Sequence, residues 1–555
     1  MKHIAFNTSQ KDILWLLAWA GILLVCSLTH TSLMAHDEGN YAAESRFMLD
    51  SGSWLARQWW GTPTYSHGIL LNWLMMVGYA LFGVSDRVAR LPSIFACMAS
   101  VVLTYDIAKI LCASQPWPYA KSARQIGLLS GLLLMLISLW AQYGHLATQD
   151  MLLVSVELLG IWCLLKAEIH PQARLAFGFF AGLGLGLGFL IKTFMIALPA
   201  IALLPYLVMQ NRRHRHLTNW GLYVGLLTGA GAVALWLGLS VAEYGDFVWA
   251  SMFGKLTELS AQPFHADAGP LYYLWNIPVN AMPWSLFSLI GAGLMFCAPG
   301  FVTGLRSHSK QRSYPHRWLL LYPFILAGML TTFSTKTPYY TLQLHPFMAM
   351  FSAIALYQIA TQPRRWPRRL ISYSFAAVGI VAAGLGLIVI MFHNALSEGI
   401  ALGSQASAYG LLAMILGGGW AFLPVCMAQP KRWLAVLLLP AWLTFSTAGL
   451  IGLMGNYTPH LKEVIGWLPQ ISPPIEGQPI DFIVGDNLQS EAHKTFTLLS
   501  FYTPKLGQLD PPIAEIPAGA YAWRSPDFDP ALFEDRPYET IVGVDNGWEL
   551  IRLGK

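Results

Sequence analysis

A chain of 555 residues that is 55% hydrophobic and 11% charged, with a mean hydropathy of +0.48, is not built like a soluble enzyme. Soluble globular proteins carry roughly 25% charged residues, so composition points to an integral membrane protein. The net charge of +5 sits in short basic loops between apolar blocks, where it reports membrane orientation and excludes a nucleic-acid-binding reading.

Apolar blocks recur in chain order at 13–31, 69–84, 91–112, 126–143, 150–168, 174–190, 193–209, 219–242, 281–303, 317–333, 341–361, 369–393, 407–428 and 433–454. No small-residue cleavage site follows the first, which reads as a retained span and not a signal peptide. The shortest and weakest, 69–84, falls below the roughly 20 residues of a crossing. Basic residues decide its fate: Lys2–Lys11, Lys109–Arg124, Arg212–Arg215, Arg306–Arg317, Arg364–Arg369 and Lys431-Arg432 all fall on the cytoplasmic side only if 69–84 does not span. The expectation is an all-α polytopic membrane protein of thirteen spans, amino terminus inside, with 69–84 lying as an amphipathic helix in the outer interface. That topology places 32–90, Tyr143–Asp150, the large loop 243–280 and Ser334–Tyr340 on the outer face.

After residue 454 charge and proline rise. Strand-like runs at Ile480–Val484, Thr540–Val544 and Leu550–Leu553 flank a helical stretch near Gln489–Phe501, which predicts a small extracytoplasmic α/β domain over 455–555 beside a membrane domain over 1–454. The six cysteines, Cys26, Cys97, Cys112, Cys163, Cys297 and Cys426, lie in apolar segments without CxxC or Cys/His spacing, so neither a disulfide framework nor a cysteine metal site is expected.

Chemistry-bearing residues gather on the outer segments. Asp37 and Glu38 follow the first span, where a carboxylate costs several kcal/mol unless it reaches water or a polar cavity. The run Asp37-Glu38-Gly39-Asn40-Tyr41-Ala42 and then Leu49–Leu55 resembles the lipid-linked-sugar glycosyltransferases of the GT-C type, notably protein O-mannosyltransferases and bacterial aminoarabinose transferases that modify lipid A. The resemblance continues at Phe82–Ser85, Arg87–Ser93, His145–Met151, Gly188–Lys192, Gly269–Tyr273, Pro283–Ser285 and Lys336–Tyr340, covering most of 13–361. It implies thirteen spans, a polyprenyl-phosphate-sugar donor, and a protein, glycan or lipid acceptor at the outer face of the cytoplasmic membrane.

The resemblance makes Asp37 the catalytic base and puts Asp150 in the active-site cavity. Read as plain residues, Asp37 is a solvated loop acid or helix cap, and Asp150 an N-cap for a helix beginning at Met151. Glu38 is a supporting acid, because adjacent helical residues face different ways. Lys336, Tyr340, Lys255 and, more weakly, Lys192 are candidates for the donor phosphate, since ammonium and phenol groups offer charge-assisted bonds at a membrane boundary; ordinary interfacial anchoring is the alternative. The chain departs from the lipid A-modifying relatives in two places. Ser66-His67-Gly68-Ile69 stands where they carry Glu-Lys-Pro-Pro, whose Lys contacts phosphate and whose Glu helps hold a metal, and Met252-Phe253-Gly254-Lys255 stands where they carry His-Phe-Gly-Arg. His67 and His265 are left as polar supporting residues, no metal or other cofactor is expected, and lipid A as acceptor is disfavoured. The glycines 182, 184, 186 and 188 lie inside a span without a preceding strand, so they let helices approach and do not form a nucleotide loop. A transporter or flippase, and a non-catalytic polyprenyl-phosphate-binding protein, are the other classes with many spans; acids clustered at the outer boundary and not at the midplane argue against transport.

Overall fold

The computed structural model describes residues 8–114, 119–261, 269–296, 316–392, 405–470, 475, 477–485, 488–529, 533 and 536–554. Helix dominates, as it must where lipid offers no partner to backbone N–H and C=O groups. The chain forms two compact units: Met1–Thr29, Tyr65–Leu70 and Pro92–Met454 make the first, and His30–Thr64, Leu71–Leu91 and Gly455–Lys555 the second.

Eight described helical stretches are long and apolar enough to cross a bilayer: Thr8–Cys26, Asp86–Ala113, Pro171–Met209, Trp220–Tyr244, Pro338–Thr361, Trp366–Met391, Ala406–Cys426 and Pro430–Leu450. The pair Tyr272–Asn280 and Trp284–Phe296, bent by 108°, adds a ninth if it counts as one span. Leu70–Phe82 and Arg317–Thr332 are shorter apolar helices. The apolar block 126–143 is two helices, Ala123–Leu134 and Ser138–Tyr143, because Ile137 turns extended between them.

The core of the first unit surrounds His345–Thr361, whose Phe347, Ala349, Phe351, Ala353 and Leu356 are buried on several faces. Two of the large buried indoles satisfy their N–H groups across helices: Trp284 donates to the Leu136 carbonyl at 2.7 Å and Trp433 to Ser372 Oγ at 2.8 Å.

The second unit carries two sheets. Strands β1 (Arg57–Trp59) and β2 (Thr62–Thr64) form a hairpin whose two-residue turn, Trp60 at φ 48° and Gly61 at φ 80°, has the left-handed backbone such turns require. Strands β3 (Ile480–Ile483), β4 (Leu506–Leu509), β5 (Tyr521–Arg524), β6 (Tyr538–Gly543) and β7 (Glu549–Leu553) form a mixed sheet in the order β4-β3-β5-β7-β6. β3 is parallel to β4 and β5, while β7 is antiparallel to β5 and β6. Helix Ser490–Tyr502 makes the β3-to-β4 crossover, and its Phe496 stacks on Trp548 at 5.7 Å. The strand-like runs of the sequence are β3, β6 and β7. Those missed are short: β4 is half exposed, and β5 lies shortly after the turn-forming Pro517 and Gly519.

Candidate active site

Asp37 opens helix Asp37–Ser51 in the second unit and is partly exposed. A carboxylate there sits at the positive end of the helix dipole, which favours its charged form. Its neighbour Glu38 is wholly buried and grips Arg90 with both oxygens, at 2.7 and 2.9 Å. The same glutamate accepts the Met34 N–H at 2.8 Å, and Arg90 donates onward to the carbonyls of Gly455 (2.7 Å) and Ser32 (2.9 Å). Gly39 packs closely beside this knot, where a Cβ would sit 3.1 Å from the Met34 carbonyl oxygen. Further along the helix, Glu44 pairs with Arg57 at 2.7 Å. Burial pushes the Glu44 carboxyl up, and Arg57 opposes that shift. Arg46 donates to the carbonyls of Phe501, Thr503 and Pro504 at the end of helix Ser490–Tyr502. The helix that presents Asp37 is therefore clamped at three positions. Glu38 is structural in this arrangement.

The first unit assembles a different cluster. Helix Gln149–Ile169 begins at Gln149 with Thr148 in the cap position, so Asp150 lies inside the first turn and does not cap the helix. Its carboxylate instead meets Lys192 Nζ at 2.5 Å. Lys192 ends helix Arg174–Lys192, and its ammonium lies 5.0 Å and 5.1 Å from the ring centres of Tyr339 and Tyr340. Gln149 donates to the Gly68 carbonyl at 2.8 Å. A Cβ on Gly68 would fall 2.4 Å from the Leu190 carbonyl oxygen and 2.5 Å from that of Ile191, so only glycine lets this segment lie against the helix end. Ser66 and His67 bond to each other at 3.0 Å.

Lys336 is buried, with its Nζ donating to the Phe333 carbonyl at 2.7 Å. Its turn is pinned by Tyr273, whose hydroxyl donates to the Thr337 carbonyl at 3.1 Å and accepts the Thr337 N–H at 3.2 Å. Tyr273 and Leu344 also line a cavity of about 490 Å³ whose other walls include Ile277, Leu289, Phe324 and Phe351. A polar turn thus borders an apolar cavity.

The structure brings Asp150, Lys192 and Tyr340 together in one unit and places Asp37 and Glu38 in the other. Lys255 lies on helix Phe247–Ala261, but its side chain, like the whole of His265, is outside the described residues. Arg90, Gln149 and Tyr339 went unassigned in the sequence reading. Each sits within a motif that carried the resemblance, which was the available signal. Among the described residues no group of three or more His, Cys, Asp or Glu is placed to hold a metal ion, and the Ser66–His67 pair is a poor donor set for a hard divalent cation.

Residues 66–237 match the family of dolichyl-phosphate-mannose-protein mannosyltransferases. The undecaprenyl phosphate-alpha-4-amino-4-deoxy-L-arabinose arabinosyl transferase of Pseudomonas paraeruginosa is 27% identical over 83% of this chain and 81% of its own length. A second such transferase, from Pseudomonas fluorescens, is 27% identical over 78% and 72%. The crystal structure of apo ArnT from Cupriavidus metallidurans superposes with a TM-score of 0.70 over 98% of both chains at 20% identity. These likenesses make the chain a glycosyltransferase with the fold of the Cupriavidus protein. The undecaprenyl-phosphate-bound form of the Cupriavidus protein superposes on this transferase with a TM-score of 0.68 over 97% of both chains, again at 20% identity. The relatives decide against the transporter reading, and the apolar helices make the transferase a multi-pass membrane protein.

Proposed function

We propose that this transferase moves a sugar from a polyprenyl-phosphate carrier to a hydroxyl group of a protein, glycan or lipid at the outer face of the cytoplasmic membrane. The observation that carries the reading is the polar turn Lys336–Tyr340, which joins the Asp150–Lys192 pair to the 490 Å³ apolar cavity. A donor with a charged phosphate and a hydrocarbon tail needs that juxtaposition. Lys336, Lys192, Tyr340 and Lys255 receive the phosphate, and Asp150 holds Lys192 in place. Asp37 takes the proton of the acceptor hydroxyl as its oxygen bonds to the anomeric carbon. The bond from that carbon to the phosphate oxygen breaks, and the carrier leaves as polyprenyl phosphate, whose gain in negative charge the ammonium groups stabilise. The relatives' sugar is an aminoarabinose by their names; Ser66 and His67 leave the sugar of this chain to be found by experiment.

The same proposal includes thirteen spans, an inward amino terminus and an extracytoplasmic 455–555 domain, the membrane domain ending near 454. Pro171–Met209 is 39 residues, about 58 Å of helix at 1.5 Å per residue. That is about twice the hydrocarbon thickness, and the chain breaks at Thr193 with φ 44°, which supports two crossings there. Labelled-sugar transfer from a synthetic polyprenyl-phosphate donor tests the role of Asp37. Asp37→Asn should lower the rate by roughly 10²–10⁴-fold, the usual contribution of a positioned base. Transfer at the wild-type rate would remove Asp37 from the mechanism.

A further inference from the structure

A polar cavity of about 630 Å³ lies within the second unit, apart from the transfer chemistry. Its walls include Arg46 and Asp50 on helix Asp37–Ser51, Val84, Asp86 and Arg87 around the start of helix Asp86–Ala113, and Lys462 on helix Pro459–Trp467. Arg46 follows Asp37 by nine residues, about two and a half turns, so the cavity lies on the opposite face of that helix from Asp37. Charges of both signs line it. Asp86 contacts Lys462, which also donates to the Thr31 carbonyl at 2.6 Å, and Asp50 lies 3.7 Å from Arg46. Arg87 adds a third cation. The Asp50 side chain is 57% exposed and Arg87 is exposed too, so both are within reach of a ligand.

Exposed apolar surface runs up to this cavity. Helix Leu70–Phe82 turns Leu74, Val77 and Leu81 outward at helical spacing, with Leu71, Met75 and Tyr79 buried behind them, and Phe82 and Val84 continue the exposed row. Helix Asp86–Ala113 is long and apolar enough to cross a membrane, so its first turn and the cavity beside it lie at a bilayer surface. An anionic ligand there would meet two carboxylates, and a cationic one three cations; a zwitterion complements both sets. The volume is several times the ~150 Å³ that encloses benzene, which gives room for a lipid head group and its glycerol. We propose that this cavity seats a zwitterionic phospholipid carrying a primary ammonium. Its phosphodiester faces Arg87 and Lys462, its ammonium bonds to Asp50, and its acyl chains lie along Leu81 and Phe82.

Native mass spectrometry of the full chain, stripped of lipid in detergent, tests this with phosphatidylethanolamine, phosphatidylcholine and phosphatidylglycerol of identical acyl chains. Phosphatidylethanolamine is retained most, because the choline head cannot donate to Asp50 and the glycerol head brings no cation. Asp50→Asn lowers its retention about fivefold, the upper worth of an ion pair open to water, to the level of phosphatidylcholine. Arg87→Gln lowers the retention of all three lipids, since they share the phosphodiester. A phosphatidylethanolamine with a diazirine on its acyl chain labels the peptide that contains Leu81 and Phe82. Equal retention of the ethanolamine and choline lipids, preference for the glycerol lipid, or undiminished retention in either folded variant overturns the proposal. So does an equal rise in melting temperature with glycerophosphoethanolamine alone, which would make the ligand a soluble one.

Discussion

Glu38 and Arg90 show how one residue's burial assigns its role. Both side chains are fully buried, so neither ion is hydrated and each depends on the other. Glu38→Gln should cost about 3–5 kcal/mol, the usual penalty for stranding a buried partner. Thermal unfolding in detergent should also show Glu38→Gln with Arg90→Met recovering part of the loss, because the double variant strands no charge. At the sequence level this pair was only half legible. The acids at 37 and 38 were visible as charges beside a span, and helix facing set Glu38 apart as a supporting acid, but no spacing rule links residues 52 positions apart, so its partner Arg90 was not legible. A second residue-level effect depends on pH. His214 and His316 are buried beside Glu168, Tyr206, Arg213, His216 and Ser114. Burial pushes both imidazoles down from 6.5 to about 4, with Glu168 opposing and Arg213 and the other histidines reinforcing. The folded protein holds them neutral where the unfolded chain would protonate them. Between about pH 6.5 and 4 the unfolded state therefore binds more protons, and stability falls as pH falls. Melting temperature in detergent should be flat above pH 6.5 and drop below it, and His214→Gln with His316→Gln should flatten the drop.

At the level of elements, glycines 182, 184, 186 and 188 of helix Arg174–Lys192 meet three different neighbours. Gly182 and Gly186 face helix Trp220–Tyr244, where their Cβ atoms would lie 2.0 Å from the Leu222 carbonyl oxygen and 2.8 Å from the Gly229 Cα. Gly184 faces Val156 and Gly188 faces Ile196. Close approach was legible in the alternation of glycine with leucine; the choice of neighbour was not, because a 3.6-residue period distributes positions two apart to different faces. Gly225 completes the seam, as a Cβ there would come within 1.9 Å of the Phe179 carbonyl oxygen. Gly225→Ala should destabilise by about 1–3 kcal/mol through overpacking. Gly231 on the same helix meets nothing within 4 Å, so Gly231→Ala should be neutral or stabilise by up to about 1 kcal/mol. Unfolding curves of the two variants in one detergent separate seam from surface; equal effects would mean that the helices do not rely on close contact. The second unit was less legible. Its strands β4 and β5 are four residues each, too short to show a period, and its inclusion of 30–64 and 71–91 depends on contacts far apart in sequence.

For the whole molecule, orientation rests on where arginine and lysine fall. Every basic loop is assigned to one side by a single reading, in which 69–84 does not cross. Leu70–Phe82 is a 13-residue helix, about 20 Å long, shorter than the roughly 30 Å hydrocarbon core. In the proposed orientation the Arg212–Arg215 and Arg364–Arg369 loops are cytoplasmic and the chain after 454 is extracytoplasmic. Alkaline phosphatase fused after residue 555 should be active, since the enzyme folds only outside the cytoplasm, and fusions truncated at 214 or 365 should be inactive. Deleting 70–82 should leave the activity of the 555 fusion unchanged, because a segment that does not cross contributes no reversal. An inactive fusion at 555 together with active ones at 214 and 365 would instead make 69–84 a span and carry the Lys336–Tyr340 turn to the cytoplasmic face.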